Sequence, residues 1–282
     1  MRRLFWLDPS VYTGDLDPDR LDQFDPTLVE SLLPTIRILR HYFRADVQGA
    51  ENIPDGAAML VGNHNAGITF LDPFMMMEGW YAQNGAADPV YFMTHDAMIQ
   101  FPALKNFLIR LGAVRASRRN ARTILESGHK FVVYPGGDQE AFRPYSHRWK
   151  VEFHDRKGFA RLALETHAPI VPVANAGGHE TFMVLHSGEA AAKALHLDKM
   201  LHAKIFPISL MFPWGLMIGP MFHMPLPAKT DIRIGTPIDL DEISDPGKPI
   251  DERVDEVYTH VTCRLQDMLD DIHRHRKYPV LG

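Results

Sequence analysis

The chain predicts an α/β fold: a central, mostly parallel sheet flanked by helices, with an N-terminal helical extension. Three observations support this. From residue 57 onward, short apolar runs of strand length alternate with amphipathic segments of helix length, a rhythm that builds βα units and a parallel sheet. Gly and Pro punctuate the ends of those segments, as at Pro102 and Gly112 around FPALKNFLIRLG, in the positions that open and close helices. The residues best suited to chemistry fall where strands give way to helices, where open sheets of this class gather ligands.

Asp25 and Pro26 suit the N-cap and first turn of a helix. Leu28, Leu32, Ile36, Leu39 and Phe43 follow at helical spacing, interrupted by Pro34. Arg37, Arg40 and Arg44 add positive charge to this amphipathic helix, which suits packing on its own domain and also resting at a membrane. AAMLVGNH (57–64) reads as a buried strand and PVYFMTH (89–95) as another, with FPALKNFLIRLG (101–112) a helix. Next come a short helix at 118–128 ending on Gly128, a strand KFVVYPGG (130–137), a helix at 156–167 and a strand PIVPVANAGG (169–178). TDIRIGTPI (230–238) reads as a late strand with Arg233 facing out. Ile250, Val254, Val257, Val261, Leu265, Met268 and Ile272 hold one face of a long final helix.

The 282 residues suffice for one domain with a sizeable core. The expected division is an extension over 1–45 and one domain over 46–282. A net charge of -5 gives no reason to expect nucleic acid as a partner. The single Cys263 excludes an intramolecular disulfide framework and is compatible with a reducing compartment, so the cytoplasm is the expected location. Only four consecutive apolar residues, Leu4 to Leu7, precede Asp8, too few for a secretory h-region. The stretch from Ile205 to Pro227 has no Asp, Glu, Lys or Arg and is long enough to cross a bilayer. Its five prolines argue against a spanning helix. Two readings stay open for it: a buried Pro-rich core loop, or a segment that lines a groove or rests on a membrane.

The stretch VGNHNAGITFLDPF (61–74) carries the sharpest chemical signal. A strand ending at Asn63 and His64 would deliver an imidazole to the sheet edge, Gly67 would permit a sharp turn, and Asp72 with Pro73 would open the next helix. A neutral imidazole held in one tautomer by a carboxylate can take a proton from a hydroxyl, so the pair resembles a catalytic triad without its serine. Strand-end histidines and Asp-Pro caps also arise for purely structural reasons. No G-x-S-x-G, G-x-x-x-x-G-K-[ST] or G-x-G-x-x-G motif occurs, and His179-Glu180 lacks the second histidine of a zinc motif. No resident metal or cofactor is therefore expected.

With these blocks in view, residues from about 45 to 282 resemble the PlsC-type glycerolipid acyltransferases, the lysophospholipid acyltransferase superfamily. Asn63-His64 and Leu71-Asp72-Pro73 match its first block with three extra residues between them. The insertion resembles bacterial members and the mono- and diacylglycerol acyltransferase branch. The resemblance implies that His64 is a general base, that Asp72 orients it, and that Asn63 and Gly67 belong to the same substrate-binding block. Gly112 to Arg118 fits the second block, implying that Arg118 helps bind the acceptor; Arg115 competes if the register differs, and a solvated helix-entry charge is the bland reading. The third block here is Tyr134-Pro135-Gly136-Gly137-Asp138-Gln139-Glu140, without the usual Glu and Arg. Losing that arginine argues against a phosphate-bearing acceptor, because an arginine fork gives such a group a strong paired contact. Gly136 and Gly137 could offer amides to a substrate oxygen or only shape a turn, and Glu140 is either a site carboxylate or a loop charge. Pro169 to Val173 matches the fourth block, mostly architectural, and Gly177 to Thr181 after it could line the pocket.

The resulting expectation is an acyltransferase. It would move a fatty acyl chain from acyl-CoA or acyl carrier protein, acting as co-substrate, to a lipid hydroxyl. Its partners would be that thioester donor, the lipid acceptor and a membrane surface, on whose inner face it would sit peripherally. A lipid-binding or tethering protein of the same fold and a thioesterase-like hydrolase are the competing expectations.

Overall fold

The computed structural model describes residues 5–65, 71–197, 205–219, 224–278 and 280–282. A seven-stranded sheet organises them: β1 (Asp46–Gln48), β2 (Ala58–Gly62), β3 (Val90–Thr94), β4 (Ala113–Arg115), β5 (Lys130–Val133), β6 (Ile170–Ala176) and β10 (Asp231–Ile234). Its spatial order is β1-β10-β6-β2-β5-β3-β4, and every pairing is parallel except β10 with β6. The five strands read from the sequence occur in that order with ladders shorter than the apolar runs, and the three-residue β1 and β4 were not among them. A second sheet of three antiparallel strands, β7 (Met183–His186), β8 (Ile208–Met211) and β9 (Gly215–Ile218), stands beside it.

Two apolar layers clothe the main sheet. On one face, Leu60, Val132, Val171, Val173 and Ile232 pack against α1 (Pro26–Tyr42) and α2 (Leu71–Asn84). On the other, Met59, Val61, Phe131, Ile170 and Ala174 pack against α4 (Arg118–Glu126), α6 (Gly158–Thr166) and the long C-terminal helix Ile250–His275. Of the two remaining helices used below, α3 is Pro102–Arg110 and α5 is Gly137–Ala141. β2 lies fourth of seven strands and is buried along its whole length. This burial on both faces is why its sequence reads as an unbroken apolar run rather than an alternating one.

Asp25 caps α1 as its sequence implies, accepting the Leu28 N–H at 3.0 Å. The helix continues through Pro34, contrary to the expected interruption. Pro34 is exposed, so the carbonyl deprived of its helical donor can turn to water. Leu28, Leu32, Ile36 and Phe43 are buried while Leu39 is exposed, and Arg37 and Arg40 share the buried carboxylate of Glu78 on α2. The N-terminal segment thus packs on the same core as the sheet. Arg233 is half-buried rather than free, donating to Asp46 on the neighbouring strand.

The described parts of the uncharged stretch differ from a buried core loop, with Leu210, Phe212, Trp214, Leu216 and Ile218 exposed. They form the β8–β9 hairpin and the segment 224–227, and no helix among the described residues is long and apolar enough to cross a membrane.

Candidate active site

Three neighbouring strands, β5, β2 and β6, end at one edge of the sheet, and the residues just past their ends build the site. His64 follows β2, and Asp72 lies in the first turn of α2, where the helix dipole favours an anion. His64 Nδ1 is 3.1 Å from Asp72 Oδ2, so the three extra residues do not separate the pair. The same oxygen accepts the Asn65 N–H at 3.0 Å. Asp72 is fully buried, whereas the His64 side chain keeps 18% exposure. A carboxylate can only accept, so the contact calls for a proton on Nδ1, and in the neutral ring that tautomer leaves the Nε2 lone pair free. The Tyr134 ring stacks on the imidazole with centroids 4.7 Å apart and planes inclined by 21°. It can do so because Gly62 has no side chain: a Cβ there would stand 2.8 Å from the Tyr134 ring.

The backbone of His64 is clamped from both sides. Its N–H donates to Glu140 Oε2 at 3.0 Å, and its carbonyl accepts from Arg143 Nη1 at 2.6 Å. Glu140 and Arg143 are both buried, with Nη1 and Oε1 3.7 Å apart. Glu140 Oε1 also accepts the Glu152 N–H, and Arg143 donates to the carbonyls of Glu140, His147 and Arg148. Burial pushes the Glu140 carboxyl up to about 7 despite the charge of Arg143 and these two amides. Desolvation draws the Arg143 guanidinium below its ordinary value, against the pull of Glu140.

This arrangement settles what the two glycines do structurally. A Cβ on Gly136 would lie 2.3 Å from both Cβ and Oε2 of Glu140, so the bare backbone is what admits the carboxylate. Gly137 takes φ +56°, a Cβ on it would meet Arg156 Nη1 at 2.5 Å, and its N–H donates to the Tyr134 carbonyl at 3.0 Å. Of the two readings left open, the Gly137 amide fits the second: it donates within its own turn. Glu140 resolves the same way: it is no exposed loop charge but holds the peptide of His64.

Two other expected binding residues lie elsewhere. Asn63 is fully buried and exchanges hydrogen bonds with Asn175 of β6: its Nδ2 donates to the Asn175 carbonyl and its Oδ1 accepts the Asn175 N–H, both at 2.8 Å. Asn175 Nδ2 returns a bond to the Asn63 carbonyl at 2.9 Å. Asn63 thus fixes the strand ends and has no free face for substrate. Arg118 opens α4 on the face of the sheet opposite α2, is 59% exposed and pairs with Glu165 of α6 together with Arg122. It borders a cavity of about 280 Å³ with Met93, Phe131 and Val133, and no contact joins it to His64, Asp72 or Glu140 among the described residues. Its competitor Arg115 pairs with Asp19 and Asp96. Gly67 lies outside the described residues.

Sequence reasoning left Arg143, Tyr134 and Asn65 without roles. Only Arg143 had a local signal, its i,i+3 spacing from Glu140. Around the pair, Asp72 Oδ1, the Asn65 side-chain amide, the Tyr134 hydroxyl and both ring nitrogens of His179 are buried without a hydrogen-bond partner among the described residues. Burial, reinforced by the charge of Arg143, drives His179 well below the ordinary imidazole range, so it stays neutral. Among the described residues, no group of three or more His, Cys, Asp or Glu side chains is placed to hold a metal ion. The arrangement is an imidazole oriented by a buried carboxylate and held through its own peptide, a geometry that can serve general-base chemistry.

The class of protein so defined is matched by comparison. Residues 10–280 match the diacylglycerol acyltransferase family model, and the chain belongs to that family. A solved structure, the 1-acyl-sn-glycerophosphate acyltransferase PlsC of Thermotoga maritima, aligns with a TM-score of 0.53 over 86% of this chain and 80% of its own at 18% identity, which establishes the shared fold. An uncharacterised protein of Mycobacterium tuberculosis (strain H37Rv) is 31% identical over 229 residues, 80% of this chain and 61% of that protein. A mouse protein named DGAT1/2-independent enzyme synthesizing storage lipids is 25% identical over 239 residues, covering 82% and 66%. Diacylglycerol O-acyltransferase 1 of Saccharomyces cerevisiae is 26% identical over 219 residues, covering 74% and 51%. The chain thus spans about three fifths of the length of the mycobacterial relative and about half of the yeast one.

Proposed function

We propose that the chain transfers a fatty acyl group from the thioester of acyl-CoA or acyl carrier protein to the hydroxyl of a lipid acceptor. His64 Nε2 takes the acceptor proton as the oxygen attacks the thioester carbonyl. Asp72 holds the ring in the required tautomer and stabilises the imidazolium. Collapse of the tetrahedral intermediate breaks the C–S bond, and His64 returns the proton to the departing thiolate. The observation that carries this reading is the 3.1 Å contact between His64 Nδ1 and Asp72 Oδ2 beneath a partly exposed ring.

A neutral glycerolipid is the favoured acceptor class. The turn at Tyr134–Glu140 has no arginine to grip a phosphate, and the named yeast and mouse relatives are a diacylglycerol acyltransferase and a storage-lipid enzyme. The protein works peripherally at the cytoplasmic face of a membrane, a reading supported by the uncharged stretch and the exposed apolar residues within it.

Purified protein given labelled acyl-CoA or acyl carrier protein, against a panel of lysophospholipids, monoacylglycerol and diacylglycerol, tests the assignment. Ester formation on a neutral acceptor that disappears in His64→Ala is the expected result. Thioester consumption at the same rate without acceptor would identify a hydrolase, and no consumption at all would overturn the catalytic reading.

A further inference from the structure

The β8–β9 hairpin has two unlike faces. Met211 and Ser209 point inward, and Met211 packs with Ile205, Phe182 and Val184 against Ala141 and Phe142, the residues directly after Glu140. Outward stand Leu210, Leu216 and Ile218, with Phe212 and Trp214 at the turn; Leu216 is 64% exposed and Trp214 57%. The apolar surface continues beyond the hairpin. The Met224 N–H donates to the Phe212 carbonyl at 3.0 Å, and both Met224 and Leu226 are exposed. Tyr42 of α1 then donates its hydroxyl to the Pro225 carbonyl at 3.0 Å, joining this segment to the exposed Ile38, Leu39 and Tyr42 of that helix. Basic groups border the patch: Arg44, just past the end of α1, reaches the Pro227 carbonyl, and Arg37 and Arg40 of α1 together face the single carboxylate of Glu78, leaving net positive charge.

We infer that the Phe212–Trp214 turn and the outer face of its hairpin dock into a lipid bilayer, with Ile38, Leu39, Tyr42, Arg37, Arg40 and Arg44 seated at the headgroup level. Three features select a bilayer over other occupants. Trp, Phe and Tyr with aliphatic neighbours at a turn and a helix face are the side chains that partition into the membrane interface. The positive border complements anionic headgroups although the chain as a whole carries -5. The hairpin's inner face rests on the helix that carries Glu140, so the docking face and the His64 site share one support. The identity of the occupant rests on the lipid-acceptor reading of that site, and it deepens that reading by assigning the element that enters the membrane.

Sedimentation of the full chain with phosphatidylcholine vesicles, with and without phosphatidylglycerol, tests it without reference to turnover. The expected result is binding to both, stronger on the anionic vesicles and weakened there by salt. Phe212→Ser with Trp214→Ser should lower partitioning by on the order of tenfold or more, with an unchanged melting temperature. Arg44→Gln should weaken only the anionic component. His64→Ala should leave sedimentation untouched, so a chain that binds vesicles through Trp214 yet transfers no acyl group would sustain the docking face and refute the catalytic proposal. Absence of binding to either vesicle, equal binding by the double variant, or a dimer in size-exclusion chromatography that the double variant converts to monomer would overturn the inference. The last outcome would assign the face to a second copy of the chain.

Discussion

Gly136→Ala isolates the link between the glycine turn and the base. Gly136 has φ -64° and ψ -24°, which alanine adopts freely, so the substitution adds one methyl group and no backbone strain. That methyl would lie 2.3 Å from Glu140 Cβ and Oε2 and 2.7 Å from Cδ. Ordinary contact needs more than 3.4 Å, so the carboxylate must retreat by about 1 Å or more, enough to break the 3.0 Å bond from the His64 N–H. Overpacking costs about 1–3 kcal/mol, and a hydrogen bond to a charged group is worth about 1.5–3 kcal/mol. Together these give roughly 3–5 kcal/mol, a fall of ~6–15 °C in melting temperature for a chain of this size. Thermal unfolding followed by circular dichroism measures the first quantity. Acyl transfer at saturating substrate measures the second, where a displaced base should lower kcat by about 10²-fold with a smaller change in KM. A variant that melts and turns over like the wild type would refute the clamp. A destabilised variant whose folded fraction keeps full kcat would show that Glu140 holds the turn without positioning His64.

Four further outcomes follow from the same geometry. His64→Ala should lower turnover by ~10²–10⁴ or more with an unaltered melting curve, and undiminished acyl transfer would remove it from the mechanism. Asp72→Asn keeps the shape but loses the charge that orients the ring, so kcat should fall steeply while vesicle binding stays constant. Glu140 has a folded-state value of about 7 against an ordinary 4.5, so the folded protein holds its proton more tightly; its contribution is complete below pH 4.5 and is lost as pH rises through about 7. The wild type should therefore lose about 3 kcal/mol relative to Glu140→Gln between pH 4.5 and 8 in urea titrations, and parallel profiles would contradict this. Asn63→Ala leaves the N–H and carbonyl of buried Asn175 unpaired, for which about 2–5 kcal/mol of destabilisation is expected by urea unfolding; a loss below ~0.5 kcal/mol would refute the structural role.

The strand and helix order was legible because each element carries its own pattern. The apolar run of β2, the Asp25-Pro26 start of α1 and the Pro102 to Gly112 bracket around α3 are signals confined to a few residues. Pro34 misled because its cost depends on whether the orphaned carbonyl faces water, and that is fixed by the side of α1 turned outward. His64 and Asp72 were legible for a related reason: they lie eight positions apart, so local geometry already limits how far apart they can be.

The parts of the site that local spacing left open depend on sheet order. Asn63 finds Asn175 because β2 pairs with β6, and Glu140 reaches His64 because β5 flanks β2 on its other side. Arg118 is carried away because α4 crosses to the face opposite α2. By itself, then, the sequence determined the α/β architecture, the position of His64 and Asp72 at a strand end, and the lack of charge in the hairpin, since all three are written in local spacing and composition. Only the tertiary structure decided which buried groups seat that base and which apolar side chains remain outside, because those depend on neighbours far apart along the chain.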